Sequence, residues 1–266
     1  MAARPFFRDL TGKRIVLTGA SSGLGKAIAI ALAKHKTKFV INARREKELV
    51  ELAGTLRDAG AQCEFIAGDI TQPNVHSSLI AKCVESYDGI DLLINNAGIG
   101  AMGNFESADP QRLRQIFEVN FFSVAQLTRT ALPFLAQGDD PMIVNIGSVL
   151  GHRAVPLKSE YCASKFAVHG FSDALRAELT DSAIDVLHVC PATIDTEFFD
   201  AAVEDTTERN WKSASAMKPD FVAKKILLAM ARRQHELILP FSAKILTWMD
   251  RILPTLANRL VARFGR

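Results

Sequence analysis

The sequence predicts one doubly wound α/β domain, a parallel sheet covered by helices on both faces. Three observations predict it. Short aliphatic or β-branched runs alternate with helical patterns along most of the 266 residues, as βαβ units require. The strand-like runs are apolar almost throughout rather than at every second position, the pattern of strands buried on both faces. No internal repeat or low-complexity linker divides the chain, and its length suits one large domain.

The elements follow in order. Residues 14–19 (RIVLTG) read as the first strand, and the apolar periodicity of 24–35 as the first helix. Residues 38–43 (KFVINA) form a second strand, followed by a helix over 46–60 that Gly60 closes. Further strands are expected over 63–68, 91–96, 141–148, 184–189 and 236–240. Helices are expected between them over 74–86, 110–136, 159–181 and 219–233. Residues 191–218 and the chain after 241 are left unassigned. The reading is therefore a domain over 1–241 and an amphipathic tail over 242–266 that is either part of the same domain or associates with a membrane or subunit.

Bulk composition excludes several classes. A net charge of +3, with 23% charged residues and no clustered basic face, argues against a nucleic-acid binder. The cysteines at 63, 83, 162 and 190 form no CxxC pair, so reduced thiols in a cytosolic setting are expected. No apolar run precedes the first strand and no stretch of eighteen uncharged apolar residues occurs, so neither a signal peptide nor a spanning helix is expected. None of the six histidines falls in a metal-ligand spacing, and no metal site is expected.

The stretch between the first strand and first helix, TGASSGLG (18–25), carries Gly19, Gly23 and Gly25 around Ser21, Ser22 and Leu24. Glycines there let the backbone turn tightly and approach a phosphate, and the helix start offers unpaired N–H groups to a pyrophosphate. At the end of the second strand, NARRE places Arg44 and Arg45 where an acid would hydrogen-bond a ribose 2′-hydroxyl. Guanidinium groups suit a 2′-phosphate instead, so NADP(H) is expected over NAD(H). Tyr161, one of two tyrosines, stands four positions before Lys165 in an expected helix, so both side chains share a face.

These motifs resemble the short-chain dehydrogenase/reductase family over roughly residues 12–240. TGxxxGxG appears as TGASSGLG, NNAG as residues 95–98, the active-site Asn as Asn120, the catalytic Ser as Ser148, and YxxxK as Tyr161–Lys165. The resemblance implies a Rossmann-type sheet of about seven strands in the order 3-2-1-4-5-6-7, and oxidation or reduction of a hydroxyl–carbonyl pair with a nicotinamide cofactor. It places Asp69, with Ile70 beside it, near the adenine, and Asn96, Ala97 and Gly98 along the ribose side. PATIDT (191–196) resembles the family's loop that holds the carboxamide through the Ile194 backbone and Thr196 hydroxyl, with Ala192 in place of the usual Gly.

The expected chemistry follows. A free phenol titrates near about 10. The Lys165 ammonium and an oxidised nicotinamide ring would lower that value for Tyr161 as base, while in reduction Tyr161 would donate its proton. Ser148 would hydrogen-bond the substrate oxygen. By resemblance, Lys165 also holds the ribose and Asn120 positions a water. The loops 149–158 and 197–217 should shape the substrate pocket through Leu150, His152, Val155, Leu157, Phe198, Phe199 and Trp211. A largely apolar lining suggests a hydrophobic ketone or alcohol, steroid-, retinoid- or acyl-like, although Lys158 and Lys212 add charge. Competing readings are an NAD(H)-dependent alcohol dehydrogenase and a non-catalytic dinucleotide sensor or scaffold. Intact Ser148, Tyr161 and Lys165 argue against the latter. The resemblance also implies a homodimer or homotetramer through 110–136 and 159–181.

The tail places Ile245, Trp248, Met249, Ile252, Leu256, Leu260 and Phe264 at near-helical spacing, with Pro254 as a kink. Lys244, Arg251, Arg259, Arg263 and Arg266 outnumber Asp250. Either this apolar face packs on the domain, the substrate opening or a second subunit, or it lies on an anionic membrane. A cytoplasmic protein, with peripheral membrane contact in the second case, is the expectation.

Overall fold

The structure, a computed structural model, describes residues 5–198, 216–252 and 255. The chain runs β1 (Arg14–Thr18), α1 (Gly23–Ala33), β2 (Lys38–Ala43), α2 (Glu46–Asp58), β3 (Gln62–Ala67), α3 (Pro73–Tyr87) and β4 (Leu92–Asn95). It continues through α4 (Pro110–Phe117), a π-helical turn (Glu118–Phe122), α5 (Ser123–Leu135), β5 (Met142–Ile146) and a 3₁₀ turn (Val149–Gly151). Then come α6 (Ser159–Glu178), β6 (Asp185–Pro191), α7 (Pro219–Ala231), β7 (Glu236–Leu239) and α8 (Phe241–Ile252).

All seven strands are parallel, in the order β3-β2-β1-β4-β5-β6-β7. The strand order reverses beside β1, which opens a crevice at the carboxyl ends of β1 and β4. Successive residues explain the unbroken apolar runs. Val40, Val16, Leu93, Ile143 and Val186 align across the sheet and face the layer of α3, α5 and α6. The next row, Ile41, Leu17, Ile94, Val144 and Leu187, faces α1, α2 and α7.

At the amino edge of the sheet, charge closes the structure. Arg8 reaches Asp185 at 2.6 Å and Asp140 at 3.2 Å, and Arg233 reaches the same two carboxylates at 2.8 and 2.6 Å. Arg14 clasps Asp91 through two nitrogens at 2.6 and 2.9 Å. A further buried pair, Arg112 with Glu160 at 2.7 Å, joins α4 to the start of α6.

Two expectations change. The helix expected over 110–136 is divided by the π-helical turn, where the extra residue per turn carries Asn120 inward. Over the described part of the tail, α8 does not pack its apolar stripe on the domain: Ile245, Trp248, Met249 and Ile252 are exposed. Leu256, Leu260 and Phe264 lie outside the described residues. No described helix is long and apolar enough to cross a membrane.

Candidate active site

Where β1 ends, the chain turns back over its own sheet. Gly19 has φ +66°, and a Cβ on it would lie 2.8 Å from the Ala97 Cα. A Cβ on Gly25 would lie 2.2 Å from the Gly19 carbonyl oxygen. Only glycine fits both places. The segment after β4 braces this loop: Asn96 Nδ2 donates to the Thr18 and Gly19 carbonyls at 3.0 Å each. The backbone N–H groups of Asn96 and Ala97 donate to Thr18 Oγ1 at 3.1 and 3.0 Å. Ser22 precedes α1 without a side-chain capping bond, and no acid stands in the first turn. The leading N–H groups of α1 are therefore left for an anion, and the glycine cradle fits the pyrophosphate of a dinucleotide.

The loop opens on a cleft of about 1550 Å³ along the carboxyl edge of the sheet. That exceeds the roughly 300–1000 Å³ of ordinary small-molecule pockets, leaving room for a dinucleotide and a second molecule. Every residue singled out for the cofactor lines it: Gly19, Ser21, Ser22, Gly23, Leu24, Gly25, Arg44, Arg45, Asp69, Ile70, Asn96, Ala97, Gly98, Tyr161, Lys165, Ile194 and Thr196. Arg44 and Arg45 are both exposed at the rim, and Arg45 donates to Ser21 Oγ at 3.0 Å and lies 3.6 Å from Glu48. Asp69 is engaged locally, accepting from the Thr71 backbone at 2.9 Å and its hydroxyl at 3.0 Å.

At the other end of the cleft, β5 delivers Ser148 and α6 delivers Tyr161 and Lys165. Ser148 Oγ accepts from the Leu150 N–H at 3.1 Å, which starts the 3₁₀ turn, and its hydroxyl also hydrogen-bonds the Tyr161 phenol. Lys165 Nζ donates to the Ile146 carbonyl at 3.0 Å and stands 5.7 Å from the centre of the Tyr161 ring. The Phe198 ring meets the Tyr161 ring edge-on at 5.9 Å.

Burial pushes the Tyr161 phenol above its ordinary value, and the Ser148 hydrogen bond only partly offsets this. Burial likewise lowers Lys165 to about 8. In the protein without cofactor, burial rather than Lys165 sets the direction of the Tyr161 shift. Desolvation outweighs the charge, and Lys165 is turned to a backbone carbonyl rather than to the phenol oxygen. In this state the Tyr161 phenol keeps its proton.

Other expected residues divide. Leu150, Val155 and Phe198 line the cleft, and Lys158 does so as well. His152 and Leu157 do not: the His152 ring packs against His169, with centroids 4.1 Å apart and the planes tilted by 57°. Phe199, Trp211 and Lys212 lie outside the described residues. Asn120 stands behind the wall rather than on it. Its Oδ1 accepts from the Ile99 N–H at 2.8 Å, and its Nδ2 donates to the Ile99 carbonyl and to Ser164 Oγ at 3.0 Å each. With its amide spent on protein groups, Asn120 holds the segment after Gly98 against α6.

Sequence reasoning missed the wall formed by Gln111, Arg114, Gln115 and Glu118. Their spacing of i, i+3, i+4, i+7 is one face of a helix, while Arg112 and Ile116 on the other face are buried. A polar stripe on a helix beside the active site was the available signal.

Residues 13–207 match the family described as short chain dehydrogenase. The chain is 32% identical over 262 residues to the ketoacyl reductase HetN of Nostoc sp., covering 96% of this chain and 90% of that one. It is 30% identical over 263 residues to dehydrogenase/reductase SDR family member 7B of Rattus norvegicus, covering 95% and 81%. A crystal structure of a short chain dehydrogenase/reductase from Burkholderia phymatum in complex with NAD is similar with a TM-score of 0.85 at 27% identity, over 94% of this chain and 96% of that one. The alcohol dehydrogenase of Thermococcus sibiricus, at 24% identity and a TM-score of 0.77 over 85% and 95% of the two chains, shares the fold. With its glycine cradle, its Ser148–Tyr161–Lys165 group and this match over most of its length, the chain belongs to the short-chain dehydrogenase/reductase family of oxidoreductases.

Proposed function

We propose that the protein is an NADP(H)-dependent oxidoreductase interconverting a carbonyl and a secondary alcohol on a hydrophobic small molecule. The observation that carries the cofactor choice is the pair Arg44 and Arg45 on the cleft at the end of β2, where NAD(H) sites place an acid. Arg45 is tethered to Ser21 and Glu48, while Arg44 is exposed and can take a 2′-phosphate bidentately. The bound cofactor supplies or accepts the hydride.

The protein's own part is proton transfer and placement. In reduction, Tyr161 gives its phenolic proton to the substrate oxygen, a role matched to a phenol kept protonated by burial. The Ser148 hydroxyl donates a hydrogen bond to the same oxygen and stabilises its developing charge. Lys165 places positive charge beneath that pair and offers it to the cofactor ribose. Leu150, Val155 and Phe198 favour a steroid-, retinoid- or acyl-like skeleton, and the relative described as a ketoacyl reductase supports the acyl class.

The test is a fluorescence titration with NADPH and with NADH. A charge-assisted contact to the extra phosphate should make NADPH bind at least about tenfold more tightly, and Arg44→Asp should remove that preference. Tighter NADH binding would reject the assignment in favour of the NAD(H) alternative, the reading favoured by the NAD complex of the Burkholderia phymatum relative.

On the same footing we assign a cytoplasmic location and a homo-oligomer through α4–α5 and α6, which expose Leu113, Phe122 and Phe166. The exposed stripe of α8 is assigned to a second subunit or a membrane surface. Co-sedimentation with anionic liposomes that is lost on deleting 242–266 would select the membrane.

A further inference from the structure

Behind the catalytic loop the fold gathers four side chains that lie far apart in the chain. His152 directly follows the 3₁₀ turn, His169 stands one helical turn beyond Lys165 on α6, His188 is buried on β6, and Glu236 begins β7. One ligating atom from each lies within 4.8 Å of the others. The rings pack closely, with centroids 4.1 Å apart for His152 and His169, and 5.0 Å for His169 and His188.

We propose that His152, His169, His188 and Glu236 form a binding site for one divalent transition-metal ion, Zn²⁺ being the best match to the donors. Three imidazoles and a carboxylate are donors that Zn²⁺ takes in a tetrahedral shell. Donors at the usual ~2.0–2.1 Å from Zn²⁺ lie about 3.4 Å apart, so small side-chain rotations close the observed spread.

The polar contacts around the cluster leave donors for an ion. His152 Nε2 makes no aligned hydrogen bond and has Glu236 Oε1 3.2 Å away, while His188 Nδ1 lies 3.3 Å from Cys190 Sγ, leaving its Nε2 as the ligating atom. His169 has the Gly151 carbonyl 3.2 Å from Nδ1 and the Asp173 carboxylate 3.2 Å from Nε2. One ring nitrogen can keep such an outer partner, as ligating histidines do, while the other binds the metal. With four protein donors the shell is closed, so the site is structural rather than catalytic. It would tie the loop after Ser148 to α6 and to the two last strands.

The test uses the untagged full-length protein, stripped with chelator, then titrated with Co²⁺ and Zn²⁺. The expected result is one Co²⁺ per chain with the visible absorption of a tetrahedral ion, its displacement by Zn²⁺, and a rise in Tm on loading. Glu236→Gln and His169→Asn, both on the outer side of the cluster, should each weaken binding by at least about 100-fold. Circular dichroism establishes that these variants remain folded, and His35→Gln, remote from the cluster, should bind as the parent does. Absence of stoichiometric binding overturns the proposal and leaves a hydrogen-bonded histidine cluster. Unchanged affinity in folded Glu236→Gln and His169→Asn, or loss of binding in His35→Gln, overturns it equally.

Discussion

At the amino edge of the sheet, Arg8 and Arg233 share Asp140 and Asp185 at 2.6–3.2 Å, and each charge faces an opposite one. At the carboxyl edge, Lys165 is equally buried but has no carboxylate at ion-pair distance among the described residues, and Tyr161 beside it is buried at the cleft wall. The difference is one of purpose. Paired ions hold four distant segments together, and breaking one pair strands its partner. Burial of Tyr161 and Lys165 shifts their proton affinities, and such shifts suit the two groups to chemistry.

Variants at the two edges should therefore fail differently. Tyr161→Phe removes the transferable proton and should reduce turnover by about 10²–10⁴-fold with cofactor binding and Tm retained. Steady-state rates beside a fluorescence titration check this, and unimpaired turnover would remove Tyr161 from the mechanism. Arg8→Ala should do the opposite, costing about 3–5 kcal/mol of stability in denaturant titrations while turnover per folded molecule stays unchanged. A fall in turnover there would mean that the two edges are coupled. Gly25→Ala sharpens the cradle: its Cβ would meet the Gly19 carbonyl oxygen at 2.2 Å. We expect destabilisation of about 1–3 kcal/mol together with weakened dinucleotide binding, measured by melting with and without cofactor.

Acidity separates the edges further. Burial alone would raise Asp140, but the hydrogen bond from Arg233 and the charges of Arg8 and Arg233 hold it below its ordinary value. Its folded affinity for protons is thus lower than its unfolded one. The stability it contributes is present above the unfolded carboxyl range near about 4 and is lost as pH falls through the folded value. Arg233→Gln should shrink this acid-sensitive part of the stability curve. At the carboxyl edge, Lys165 loses its charge above about pH 8, so kcat/KM for reduction should decline with that midpoint. A flat profile to pH 10 would show that the Lys165 charge is dispensable.

Local pattern carried much of this molecule. Strand bounds such as 38–43 and the start of the helix at Glu46 were legible because both periodicities depend on neighbours a few residues apart, although that helix ends at Asp58 rather than at 60. The glycine cradle and the Tyr161–Lys165 pair were legible for the same reason, since each lies within one turn or one helix face. The polar wall of α4 was legible in principle, because Gln111, Arg114, Gln115 and Glu118 obey helical spacing. The π-helical turn was not, because nothing in EVNFF departs from ordinary helix. Its reason is the tertiary fastening of Asn120 to Ile99 and Ser164.

What sequence alone established is the order of elements, the family and the chemical groups of the site. Tertiary structure alone decided the sign of the Tyr161 shift, since desolvation depends on what encloses the phenol rather than on the lysine four residues away. It alone turned His152 from the substrate loop toward His169, His188 and Glu236, and brought Arg8 to Asp185. Those contacts join segments distant along the chain, and their energies depend on separation in space and on the water excluded around them, neither of which short-range spacing encodes.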